Sequence, residues 1–269
     1  MEKFKRSERL VALTKYLTHH PRELISLGFF SEMFSAAKST ISEDLVIMRD
    51  TLAGLEMGVL ETLPGAGGGV KFIPLMGESE SEVFLQGLSQ QLSQPERIIP
   101  GGFLYMTDLL FDPVISAQAG TIFASKFAVL NPEVVITIET KGIPLALMTA
   151  QALHVPLVVI RNDSRVTEGS SVSINYLSGS TRRIQTMSLP RRSLRKGMRV
   201  VVIDDFMKAG GTAKGMLELL EEFDSKVLGV GVLISTLEPQ EKLVNDYISL
   251  LELVDIEEQP RRILIRPTH

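Results

Sequence analysis

Apolar residues recur at helical spacing from the start of the chain. Leu10, Leu13 and Leu17 share one face and predict a helix over 7–20, with Ser7 as its N-cap and Pro21 as its stop. A second apolar helical stretch runs from Glu23 to Phe34, and Ser35–Ser39 reads as a short turn. A third helix is predicted to begin at Thr40, where Thr40-Ile41-Ser42-Glu43 fits a capping box. Its buried stripe would be Ile41, Leu45, Met48, Leu52 and Leu55. Gly58–Leu63 then reads as a strand, Pro64–Gly69 as a glycine-rich tip and Val70–Ile73 as the returning strand.

Helix, helix, turn, helix and hairpin is the order of a winged helix-turn-helix domain, here 1–74, whose usual work is to place its third helix in the major groove of DNA. Residues 77–95 are polar, with Val83, Leu85, Leu88 and Leu92 at helical spacing, and read as a connecting helix at the domain boundary. From Gly102 the pattern changes to alternating strand and helix. Strands are predicted at 103–106, 134–138, 156–160, 199–203, 227–235 and 247–254. Helices are predicted at 112–129, 143–153 and 212–223. The polar stretch 161–196 adds short strands near 172–176 and 183–187. The fold class is α/β: the winged-helix domain followed by a mostly parallel sheet covered by helices over 75–269. Ligands of such sheets bind beyond the carboxyl ends of the strands.

Composition narrows the chemistry. The chain has no cysteine and no tryptophan, so disulfides and thiolate metal sites are excluded. No apolar run approaches the roughly 18 residues of a bilayer span, and the charged N-terminus lacks a signal-peptide core; a cytoplasmic protein with no membrane partner is expected. His19, His20, His154 and His269 form no metal constellation. The net charge of −4 hides an uneven distribution. Lys3, Lys5, Arg6, Arg9, Lys15 and Arg22 outnumber the acids of 1–22. Arg161, Arg165, Arg182, Arg183, Arg191, Arg192, Arg195, Lys196 and Arg199 face only Asp163 and Glu168 in 161–199. Two basic regions suggest anionic partners, although such charges also simply solubilise a surface.

Candidate chemistry gathers at two strand ends. Val200-Val201-Val202-Ile203 is a buried strand that delivers Asp204 and Asp205, and Phe206-Met207-Lys208-Ala209-Gly210-Gly211-Thr212 leads into a helix. Glycines and a helix N-terminus make an anion cradle, while paired carboxylates accept hydrogen bonds from sugar hydroxyls. The plain alternative is an ordinary strand-turn-helix, but two adjacent acids at the end of a buried strand are costly unless something pairs them. Glu139-Thr140-Lys141-Gly142-Ile143-Pro144 is a second such junction, with a hydroxyl, a cation and open backbone. Tyr105, near another strand end, either faces the same pocket or packs.

The two loops resemble those of type I phosphoribosyltransferases. The whole chain resembles the purine operon repressor family of Gram-positive bacteria. The carriers are residues 5–9 (Lys-Arg-Ser-Glu-Arg), Ala37–Asp44, the tip Pro64–Val70, the loop Thr140–Pro144 and the run Asp204–Thr212. The resemblance implies a homodimeric regulator, repressor or activator, that binds double-stranded DNA in the control regions of purine genes. Its effector would be phosphoribosyl pyrophosphate, with Mg²⁺ carried by the ligand. Ala209, Gly210, Gly211 and Thr212 would hold the 5-phosphate. Asp204 and Asp205 would take the ribose hydroxyls, and Thr140, Lys141 and Gly142 the pyrophosphate. Guanine nucleotide alarmones are a possible competing ligand. Many 6-oxopurine transferases carry an Asp where this chain has Lys208, and commonly a Thr where it has Ala209. A lysine cannot replace that acid at neutral pH without a large pKa shift, so no base should be ribosylated. On the DNA side the resemblance points to Lys5, Arg6, Lys38, Ser39, Thr40, Ser42 and Lys71, with the arginines of 161–199 meeting either DNA or ligand phosphates. Capping is the plainer role for Ser39, Thr40 and Ser42. The alternatives are a purine (xanthine-like) phosphoribosyltransferase with an accessory domain, since some xanthine transferases lack the Asp as well, and an RNA-binding regulator.

Overall fold

Residues 4–65, 67–162, 169–177 and 184–268 are described by a computed structural model. The chain divides into two compact units, the first comprising Met1–Gly77 with Gln151–His154 and the second Glu78–Ala150 with Val155–His269.

The first unit contains α1 (Arg6–His19), α2 (Leu27–Phe34), α3 (Lys38–Gly54), β1 (Gly58–Leu63) and β2 (Gly69–Pro74). Leu13 and Leu17 of α1, Phe30 and Phe34 of α2, Ile41, Leu45, Met48 and Leu52 of α3, and Leu60, Val70 and Phe72 of the hairpin share one core. Three expected boundaries move. Lys5, rather than Ser7, stands at the N-cap of α1, where its N–H donates to the Glu8 carboxylate at 2.6 Å. The chain before α2 is extended: Ile25 and Val70 exchange backbone hydrogen bonds at 2.9 Å, and Arg22 N–H donates to the Phe72 carbonyl at 2.6 Å. Helix α2 therefore starts only where the Ser26 hydroxyl accepts from Phe29 N–H. The capping box at Thr40 does not form. Ser35 is left-handed (φ 49°) and reverses the chain at once, so α3 begins at Lys38 with Ala37 as its cap and Thr40 already inside the helix.

The second unit opens with α4 (Glu78–Leu92), a two-residue hairpin β3 (Ile98–Ile99) and β4 (Phe103–Leu104), α5 (Thr107–Leu110) and α6 (Pro113–Phe127). Then come β5 (Val134–Ile138), α7 (Ile143–Leu153), β6 (Leu157–Ile160), β7 (Ser171–Leu177), β8 (Ile184–Pro190), β9 (Arg199–Met207), α8 (Gly211–Glu221), β10 (Lys226–Thr236), β11 (Tyr247–Glu258) and β12 (Arg261–Pro267). The main sheet has the order β12-β11-β10-β9-β5-β6. Its pairs are parallel except β11 with β12. Strands β7 and β8 form a separate antiparallel pair packed on α8.

Two features depart from expectation. Strand β12 was not anticipated; Ile263 and Ile265 are buried while Arg262 and Arg266 pair with Asp255 and Glu252 of β11. The run Pro113–Leu130 does have the length and mean hydropathy, 1.2, of a membrane span. Its apolar side is part of a protein core. Phe123 and Phe127 lie under β10, where a Cβ at Gly231 or Gly229 would come within 2.7 Å of their rings.

Candidate functional site

The site grows from β9. Val200, Val201, Val202 and Ile203 are fully buried between β5 and β10, as four successive β-branched residues favour. The strand runs four residues further than its expected end and carries Asp204 and Asp205 within it. Asp204 is buried, and the Asp205 N–H donates to its Oδ1 at 2.9 Å. Burial, and then the neighbouring Asp205, push the Asp204 carboxyl well above the ordinary carboxylate range.

The chain leaves β9 through Lys208 and Ala209 and enters α8 through Gly210, whose φ of 83° suits glycine. Leu243 N–H donates to the Ala209 carbonyl at 2.9 Å, bracing the turn from behind. The Gly210 carbonyl accepts the helical bond of Lys214 at 2.8 Å, so the amides of Gly211, Thr212 and Ala213 precede the first helical donor. The second turn, after β5, brings Thr140 and Lys141 to the same place. Gly142 presses against β9: a Cβ there would stand 2.9 Å from Asp204 Oδ1 and 2.6 Å from Thr137 Oγ1. Only a glycine allows that approach.

Together these residues enclose a cleft of about 410 Å³, within the range of small-ligand sites. Thr140, Lys141, Asp204, Asp205 and the whole of Lys208–Thr212 line it. Gly142 lies just behind. Tyr105 is not part of the lining. It is half exposed in a local turn, where its backbone N–H donates to the Arg97 carbonyl at 2.8 Å and its carbonyl accepts from Arg97 Nη1 at 3.2 Å.

Several lining residues escaped the sequence reading. Tyr176 of β7 donates to Gln185 Oε1 of β8 at 2.8 Å, and both face the cleft. Burial raises the Tyr176 phenol, the Asp204 charge adds to that, and a hydrogen bond with Thr212 opposes both. The alternation of Val172 and Tyr176 along a strand was the available signal. Asn162 also lines the cleft; its N–H donates to Glu139 Oε1 at 2.7 Å, and Arg161 approaches Glu139 at 3.6 Å. The cleft thus has a cradle of backbone amides, two lysines (Lys141 and Lys208) and three carboxylates (Glu139, Asp204 and Asp205). Among the described residues no cluster of three or more His, Cys, Asp or Glu side chains could hold a metal ion.

In the first unit, Lys38, Ser39 and Ser42 are exposed at the start of α3 and Thr40 is partly so. No side chain caps the helix. Arg6, half exposed, pairs with Glu43 at 2.8 Å and with Asp44 at 3.2 Å. Lys71 pairs with Glu61 at 2.9 Å. Arg9 is not a surface charge at all. It is 7% exposed and bound to the fully buried Asp44 at 2.6 Å. Lys3, Ala66, Asp163, Arg165, Glu168, Arg182, Arg183 and His269 lie outside the described residues.

A parallel sheet with acids at the end of its central strand, a glycine turn and a second loop after β5 defines a phosphoribosyltransferase-type domain. The profile of the phosphoribosyl transferase domain matches residues 110–262. The adenine phosphoribosyltransferase of Thermoanaerobacter pseudethanolicus superposes with a TM-score of 0.54 at 21% identity, over 62% of this chain and 99% of that one. The family described as bacterial purine repressor, N-terminal, matches residues 5–74. The purine biosynthesis transcriptional repressor of Bacillus subtilis is 54% identical over 98% of this chain and 93% of its own. The purine biosynthesis transcriptional activator of Lactococcus lactis subsp. lactis is 40% identical over 96% of both. The chain belongs to the bacterial purine repressor family.

Proposed function

We propose that this protein is a transcriptional regulator of purine biosynthesis genes whose second unit senses phosphoribosyl pyrophosphate without transforming it. The Bacillus subtilis and Lactococcus lactis relatives, matched over almost their whole length, are named as regulators of that pathway. One observation carries the sensing half of the reading. A buried carboxylate with no cationic partner among the described residues sits beside a backbone anion cradle in a cleft of ligand size. That combination suits a molecule offering hydroxyl donors at one end and phosphate at the other. Asp204 and Asp205 take the ribose hydroxyls, Ala209–Thr212 the 5-phosphate, and Thr140–Gly142 with Lys208 the pyrophosphate side. Mg²⁺ would enter with the ligand, since no cluster of side chains among the described residues could hold a metal ion. Guanine nucleotide alarmones carry the same pyrophosphate chemistry and compete for the cleft.

Lys208 argues for sensing rather than turnover. An ammonium at that place attracts an anion but does not shuttle protons on a purine ring at neutral pH. On the DNA side, Lys38, Ser39, Thr40 and Ser42 at the N-terminus of α3, with Lys5, Arg6 and Lys71 at its flanks, meet phosphates and base edges. Arg6 and Lys71 exchange their carboxylate partners for phosphate on binding. The regulator works as a homodimer in the cytoplasm.

Calorimetry of the purified chain with phosphoribosyl pyrophosphate and Mg²⁺ should show saturable binding. A parallel incubation with labelled guanine, xanthine or hypoxanthine should release no nucleotide. Absence of heat uptake would remove the effector reading, and nucleotide formation above background would make the protein an enzyme.

A further inference from the structure

Strand β5 is apolar and buried throughout except for Thr137, which is fully buried and whose hydroxyl has no hydrogen-bond partner among the described residues. An orphaned buried hydroxyl destabilises a fold, and a valine at this position would avoid that cost. The hydroxyl is also not randomly placed. Thr137 Oγ1 and Asp204 Oδ1 flank the same point above Gly142, 2.6 and 2.9 Å from where a Cβ would sit. Asp204 is itself undersupplied. It is buried with no cationic partner among the described residues, and its Oδ1 accepts from the Asp205 N–H. A carboxylate needs several donors to stay ionised away from water.

We propose that Thr137 is a positioning residue for Asp204: when the cleft fills, its hydroxyl donates to the Asp204 carboxylate and holds it aimed at the ribose hydroxyls. The empty protein keeps a donor and an acceptor apart across the notch that Gly142 leaves open, and the ligand brings them together. Part of the ligand's binding energy is then realised as a bond inside the protein. The inference rests on the sugar-binding reading above and adds the residue that makes Asp204 competent for it.

The test compares Thr137→Val with Thr137→Ser in the full chain. Chemical denaturation without ligand should show the valine variant at least as stable as the parent, because an unpaired hydroxyl has been removed. Calorimetry with phosphoribosyl pyrophosphate and Mg²⁺ should show about tenfold weaker binding for valine, the loss of one hydrogen bond to a charged group. The serine variant, which keeps the hydroxyl, should bind within about threefold of the parent, an affinity difference below one ordinary hydrogen bond. Inorganic phosphate, which has no ribose hydroxyls, should bind all three chains equally. Parent-level affinity in the valine variant would overturn the proposal, as would a valine chain too unstable to purify, since that would mean the hydroxyl is already satisfied in the empty protein. Failure of the parent itself to bind would instead strike the sugar-binding reading.

Discussion

Asp204 shows how a single residue can weaken a fold and serve a site. Its folded pKa is raised by burial and by Asp205. The folded chain therefore holds a proton on Asp204 where the unfolded chain has lost it. That sign means the cost is absent below the unfolded carboxylate pKa of about 3.9 and grows as pH rises through the raised folded value. Asp204→Asn should then be no less stable than the parent at acid pH. It should become progressively more stable than the parent as pH rises to neutrality, while losing effector binding. Denaturation midpoints of the two chains across pH measure the gap. A gap that stays constant, or favours the parent at neutral pH, would contradict this reading. The place of the two aspartates on the cleft was legible in the sequence, because adjacent acids after four β-branched residues make no sense as core. The place of Tyr176 on the cleft was not, because its strand lies in a polar stretch and its approach to Thr212 is a tertiary fact. For Tyr105 the sequence left two readings open, since closeness to a predicted strand end says nothing about direction; its backbone is tied to Arg97 and it is not part of the cleft lining.

At the scale of elements, the periodicities identified nearly all helices and strands, and local chemistry shifted their ends. Ser26 rather than Glu23 opens α2, because the chain before it is held extended against β2 by isolated bridges at Pro21 and Ile25. Strand β12 went unseen since its alternation of arginine and isoleucine follows a long strand with only a short turn between. The charge pattern misled most in α1. Arg9 looks like a nucleic-acid contact in sequence, yet it is a buried clamp from α1 to Asp44 in α3, with Arg6 as the outer partner of the same carboxylate. Breaking such a pair leaves an uncompensated charge in the interior. Asp44→Ala should cost about 3–5 kcal/mol in unfolding of the first unit. Denaturant titration followed by circular dichroism reads this, and a loss below about 1 kcal/mol, the worth of a surface pair, would show that the clamp is dispensable.

For the whole molecule, one unit offers an exposed helix start and the other a cleft lined by backbone amides, lysines and carboxylates. Regulation requires that the two be thermodynamically linked. A ligand shifts DNA affinity only if its own affinity differs between DNA-bound and free protein, and the coupling is reciprocal. The most direct measurement is the anisotropy of a labelled purine-gene control region titrated with the protein at fixed salt, repeated across phosphoribosyl pyrophosphate concentrations with Mg²⁺. The account predicts that DNA affinity changes by at least about fivefold and then saturates, the low end of ordinary allosteric coupling, and that Asp204→Asn abolishes the change while keeping its affinity for DNA without ligand. Superimposable binding curves at every ligand concentration would contradict it.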